Sequence, residues 1–192
     1  NQYAERLGMR ASHFENSTGL PGPDHRMTVA DIARLTRAII REFPDYYRWY
    51  SQREFTWNNI TQPNRNGLLA RDPSVDGVKT GMTEAAGYCL VSSAKREGMR
   101  LVAVVMGTDS MKSREDASLA LLNYGFSFYE TRKLKAAGEL IAEQRIYRAR
   151  GGRAAVGVAE DLWITLPRGQ FDGVTLAVEL ARGRGFGGRR LG

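Results

Sequence analysis

Residues 75–94 read VDGVKTGMTEAAGYCLVSSA. In an extended chain Val78 points one way, Lys79 the other, Thr80 back again, and Gly81 leaves its surface open. The pattern predicts an ammonium displayed beside a hydroxyl on a strand edge, with room for a ligand backbone at Gly81. Two apolar strands are predicted directly afterwards, GYCLVSSA and MRLVAVVMG, joined by KREG, whose charges and glycine suit a hairpin turn. Their composition suits the centre of a sheet lying between layers of helix.

Upstream, NQYAERL reads as a short helix stopped by Gly8, and TGLPGPDHRM is rich in turn formers. TVADIARLTRAIIREF, residues 28–43, is predicted as a helix. Thr28 caps its first turn, Asp31 complements the dipole, and Ile32, Leu35, Ile39 and Phe43 form its apolar stripe. Pro44 ends it. The aromatic run YYRWY is expected to pack on that helix, EFTWNNI to form a strand with Phe55 and Trp57 on one face, and QPNRNGLLARDP to be a loop. Downstream, residues 110–130 read as a helix whose core face is Ala117, Leu121, Tyr124 and Phe128. After Thr131 the texture changes to short apolar runs between turn signals: QRIYRA, RAAVGVA, DLWITLP and VTLAVEL. These predict a small β-rich domain over residues 132–180, after a first domain over residues 1–131.

Bulk properties narrow the function classes. The chain has 192 residues, 42% hydrophobic and 26% charged, which fits a soluble globular protein of one or two domains. No apolar run has the length to span a bilayer. Formal net charge is +7, and without the four arginines of the Gly/Arg-rich tail at residues 181–192 it is +3. That tail is expected to be disordered. A second basic cluster comprises Arg145, Arg148, Arg150 and Arg153. No zinc-finger spacing or helix-turn-helix accompanies this charge, so nucleic acid is not an expected partner; an anionic surface suits it better. The single cysteine, Cys89, sits in an apolar run and reads as a small hydrophobe. His13 and His25 are isolated, so no metal centre is expected. No phosphate-binding glycine loop and no G-x-S-x-G elbow is present, and no cofactor is expected. Asp24, Asp31, Asp72, Asp76 and Glu84 form no evident carboxylate pair and read as caps, turns or solvated groups.

Lys79-Thr80-Gly81 follows a loop, is expected to lie on a strand and precedes an apolar hairpin. This is the setting of the third motif of the serine penicillin-binding and β-lactamase group. With it the chain resembles the low-molecular-mass penicillin-binding proteins, the serine-type D-alanyl-D-alanine carboxypeptidases. The resemblance runs to about residue 178 and rests on AERLGM, the TGL loop at 18–20, TVADIARLTRAII, EFTWNNITQPNRNGLL, VDGVKTGMTEAAGYCLVSSA, MRLVAVVMG, Arg114, YGFSFYE and ITLPRGQ. The implied fold is the α/β transpeptidase fold of the penicillin-binding and β-lactamase group, incomplete at its N-terminus and followed by a small all-β domain.

The implied activity is removal of the terminal D-alanine from peptidoglycan stem peptides through an acyl-serine, with β-lactams as ligands of the complete enzyme. The implied site is Lys79, Thr80 and Gly81 as catalytic motif, Met82 at the oxyanion hole, and Arg114 with Lys79 and Thr80 on the substrate carboxylate. The family's S-x-x-K and S-x-N motifs precede the part matched here. SSAK at 92–95 spells the first, but within a strand after KTG rather than at a helix start. The chain is therefore expected to be the C-terminal part of the catalytic domain, inactive alone. The resemblance also implies export to the periplasm or envelope, with membrane-surface association only through a C-terminal region beyond this sequence. Two alternatives stand beside this reading. One is a β-lactamase-like hydrolase, disfavoured by the β-rich appendage; the other is a non-catalytic module that grips cell-wall peptides.

Overall fold

The computed structural model describes residues 1–145 and 150–177; Arg148, the end of VTLAVEL and the basic tail lie outside the described residues. The chain divides into two units, residues 1–130 and residues from Thr131 onward.

The first unit is organised around an antiparallel sheet of three strands in the order β3-β4-β5, with β3 Val75–Thr83, β4 Gly87–Arg96 and β5 Met99–Thr108. The expected hairpin forms, turning on Glu97 and Gly98, both at positive φ. β4 is central, whereas β5 is an edge of this sheet rather than a central strand. Alternation sends Leu90, Ser92 and Ala94, paired with Val105, Ala103 and Leu101, to one face. On that face lies α5, Met111–Phe128, and the core gathers Leu68, Leu69, Val75, Leu90, Ala94, Met99, Ala103, Leu122 and Phe126. Helix α2, Val29–Glu42, packs against β5, and its Thr28 hydroxyl accepts from the Asp31 amide as the cap pattern requires. The short α1, Gln2–Arg6, ends before Gly8, which has φ +76°.

Several readings of the sequence need correction. The buried positions of α5 are Arg114, Ser118, Leu122 and Phe126, while Leu121, Tyr124 and Phe128 are exposed. The true stripe recurs every four residues but contains an arginine and a serine, so an apolar pattern passes over it. In α2 the stripe is only partly covered. Ile32 is buried, Leu35 and Ile39 are half-buried beside a cavity, and Phe43 is exposed. Of the aromatic run, Tyr47 alone is buried, in α3 Pro44–Tyr47; Tyr46 and Trp49 are exposed and meet edge-to-face. EFTWNNI is a turn as well as a strand. β1 Glu54–Trp57 folds back on β2 Ile60–Pro63 through Asn58 and Asn59, both at positive φ, and a one-turn helix α4, Leu68–Arg71, lies inside the expected loop.

β6 Tyr129–Lys135 runs across the boundary into the second unit, beginning where a helix was expected to residue 130, and it pairs with β9 Leu162–Pro167. β7 Leu140–Arg145 pairs with β8 Arg153–Gly157. Among the described residues no helix is long and apolar enough to cross a membrane.

Candidate active site

β3 carries Lys79, Thr80, Gly81 and Met82 along one edge of the sheet, and among the described residues no strand covers its outer side. Lys79 lies opposite Val91 and Gly81 opposite Cys89; Thr80 lies opposite Leu90 and Met82 opposite Tyr88. Lys79 and Gly81 therefore share one face of the strand, and Thr80 and Met82 the other. Lys79 is exposed and its ammonium donates to the Thr80 carbonyl. A methyl built on Gly81 meets nothing within 4 Å, so the surface beside the lysine is open.

These residues line a cavity of about 1490 Å³, whose other walls include Arg114, the loop around residues 16–22, and Ile32, Leu35 and Ile39 of α2. Arg114 is 3% exposed. Its Nη1 donates to the carbonyls of Gly81 at 3.3 Å and Cys89 at 3.5 Å, and its Nη2 to that of Arg65 at 3.2 Å. Its Nε–H is buried and has no hydrogen-bond partner among the described residues. The structure thus brings all five expected site residues to one cavity, with Arg114 also tying the end of the KTG segment to β4 and to the chain before α4.

The loop at 16–22 takes its shape from one side chain. Asn16 Oδ1 accepts from the amides of Thr18 at 3.2 Å, Gly19 at 2.8 Å and Leu20 at 3.2 Å, and its Nδ2 donates to the Leu20 carbonyl at 3.0 Å. Gly19 has φ +83°, which a side chain disfavours. The N-x-T-G spacing was a legible sign of a closed asparagine turn, although its place beside the cavity was not. Behind the loop Asp31 is 1% exposed and accepts from the Ala11 amide at 3.0 Å and the Ser12 hydroxyl at 2.8 Å.

Ser92, the one serine that spells S-x-x-K, is fully buried opposite Ala103 on the face turned to α5. It has no access to the cavity edge where Lys79 is displayed. No cluster of metal-ligating side chains occurs among the described residues.

Residues 1–110 match the family described as D-alanyl-D-alanine carboxypeptidase, peptidase S11. The chain belongs to this family. Residues 129–183 match the C-terminal domain of penicillin-binding protein 5. Among curated relatives, the D-alanyl-D-alanine carboxypeptidase DacD of Escherichia coli is 40% identical over 171 residues, covering 88% of this chain and 44% of that protein. Among solved structures, penicillin-binding protein 5 from Haemophilus influenzae superposes with a TM-score of 0.82 at 42% identity, covering 90% of this chain and 51% of that one. Penicillin-binding protein D2 from Listeria monocytogenes in its cefotaxime-bound form superposes with a TM-score of 0.61 at 28% identity, covering 66% of this chain and 53% of that one. The chain spans less than half the length of the curated relatives it matches. The fold is thus that of the penicillin-binding proteins, with a small β-rich domain after the part that matches the peptidase family.

Proposed function

We propose that this chain supplies the KTG wall of a serine-type D-alanyl-D-alanine carboxypeptidase acting on peptidoglycan stem peptides in the periplasm or cell envelope. The observation that carries the reading is that Lys79, Thr80 and the buried Arg114 all line one cavity at a strand edge that no other strand covers among the described residues. A lysine, a hydroxyl and a guanidinium together suit a terminal carboxylate. Arg114 still has one buried N–H to give. The outer edge of β3 offers backbone groups to an extended peptide, as sheet edges do in other peptide complexes.

In the complete enzyme a serine from the other half attacks the carbonyl of the penultimate D-alanine. The Met82 backbone contributes to holding the oxyanion. The amide C–N bond breaks, D-alanine leaves with a proton, and water then hydrolyses the acyl-serine ester. Lys79 supports charge development during acylation, and Gly81 lets the substrate backbone approach. The same site accommodates β-lactams, in line with the cefotaxime-bound relative.

Incubation with a labelled penicillin and mass spectrometry of the adduct tests this. The 192-residue chain alone is expected to remain unmodified, because its single S-x-x-K serine is buried in the sheet. The full-length protein carrying it is expected to take up one label on a serine outside this chain. Failure of the full-length protein to acylate would leave the peptide-gripping module as the better reading. A label on Ser92 would overturn the assignment of roles.

A further inference from the structure

The strand that carries Lys79 is gripped just upstream of it by side chains from three other segments. The Asp76 carboxylate accepts the Tyr47 hydroxyl at 2.8 Å and both arms of the Arg100 guanidinium, Nη1 at 2.8 Å and Nη2 at 2.7 Å. Arg100 Nη1 also donates to the Ser93 hydroxyl at 2.7 Å, and the guanidinium lies 5.5 Å from the Tyr47 ring centre. One residue further on, the Gly77 carbonyl accepts Nδ2 of Asn66, a side chain 3% exposed, at 3.0 Å. The Gly77 backbone passes so close to Tyr47 that an added methyl would lie 2.6 Å from its hydroxyl oxygen.

The position of this grip is informative. The β3–β4 ladder is irregular between Val75 and Gly77, so cross-strand hydrogen bonds fix the strand least where it turns toward Lys79. Side chains hold it there instead. A second ion pair, a single contact from Arg96 Nη2 to Asp72 at 2.6 Å with Arg96 Nε on the Ser74 hydroxyl, sits at the root of the same strand and bonds to none of residues 76–83.

We propose that Tyr47, Asp76, Arg100 and Asn66 are positioning residues for the KTG segment: they set the placement of Lys79 and Thr80 for acyl transfer, beyond stabilising the domain. The inference rests on the carboxypeptidase reading above. A shift of about 1 Å in a reacting group costs up to two orders of magnitude in rate, so a partial loosening should be visible as a rate defect.

Two measurements separate the possibilities. In the full-length protein, Asp76→Ala is expected to slow penicillin acylation per folded molecule about tenfold. Asp76→Asn, which keeps an acceptor for Tyr47, is expected to recover part of that loss, and Tyr47→Phe to lose about threefold. Asp72→Ala is expected to lower the melting temperature with an acylation rate within about twofold of the parent. On the 192-residue chain itself, hydrogen exchange across residues 78–82 is expected to accelerate in Asp76→Ala and not in Asp72→Ala. Equal acylation in Asp76→Ala and the parent, or equal losses in Asp76→Ala and Asp72→Ala, would reduce the network to a stabilising ion pair. If the unsubstituted full-length protein is not acylated, the carboxypeptidase reading fails. The exchange experiment then decides positioning by itself, with unchanged exchange in Asp76→Ala overturning it.

Discussion

Arg114 of α5 donates to the carbonyl of Gly81, 3.3 Å away, so the cation proposed for the substrate carboxylate also holds the end of the strand that carries Lys79. Lys79 has a different setting: it is exposed, and its ammonium donates to the neighbouring Thr80 carbonyl. The two cations should therefore separate kinetically in the full-length enzyme. Arg114→Ala is expected to weaken handling of peptides with a free C-terminal carboxylate by about 1.5–3 kcal/mol, the worth of a charge-assisted bond, with a smaller effect on the matching uncharged ester. Lys79→Ala should slow acylation by acid and ester alike. The measurement is kcat/KM for both substrates in each variant, read as transition-state free energies. Equal losses on acid and ester in Arg114→Ala would leave that arginine a purely structural tie among three carbonyls.

Gly77 offers a sharper steric test of the strand's entry. An alanine methyl there would press on the Tyr47 hydroxyl, whose oxygen is already committed to Asp76. Burial above all, and then the bond to the Asp76 carboxylate, hold the Tyr47 phenol above its usual pKa, so it remains a donor throughout the physiological range. Gly77→Ala is expected to cost about 1–3 kcal/mol in denaturant unfolding, the range for an overpacked interior site. Adding Tyr47→Phe, which removes the crowded oxygen, should return part of that loss. A double variant no more stable than Gly77→Ala would show that the hydroxyl is not the obstacle.

The register of α5 can be settled by two leucines side by side. Leu122 is 1% exposed among core residues, whereas Leu121 is 51% exposed. Leu122→Ala should cost about 2–5 kcal/mol, and Leu121→Ala about 0.5 kcal/mol or less. Chemical unfolding of the two variants gives the answer, and the reverse order would restore the face expected from the apolar pattern.

That helix shows why part of the fold was legible and part was not. The β4–β5 hairpin was readable because long apolar runs and a glycine turn act locally. The displayed lysine was readable because alternation on a strand needs no partner. The inner face of α5 depended on Arg114 being drawn inward by three carbonyls and on Ser118 being fully buried, neither of which an apolar pattern encodes. The β1–β2 turn was written in Asn58-Asn59, since asparagine tolerates positive φ, but it was read as continuing strand. The Asp76 grip joins residues 24 and 29 positions apart, and its members read separately as a turn or solvated acid, a ring packed on α2, a strand residue and a loop amide.

Acid should reveal the two buried carboxylates that fasten the loops. Burial alone pushes the Asp31 carboxyl up, but the Ser12 hydroxyl, the Ala11 amide and Arg34 outweigh it and hold the group below its usual value. Asp72 behaves alike: burial raises it, and the Ser74 hydroxyl, the Ser74 amide and Arg96 bring it lower overall. A carboxyl whose pKa is lower folded than unfolded adds stability that is fully present above the unfolded value, about 3.9, and is lost as pH falls through the folded value. The melting temperature should therefore fall as pH drops below about 4, with no contribution from either group to any change between about pH 5 and pH 7. Asp72→Asn should start less stable at neutral pH and lose less on acidification, and Asp31→Asn should do the same. Thermal melts at closely spaced pH values check this. An acid slope as steep in both variants as in the parent would remove these two carboxylates from the account of acid sensitivity.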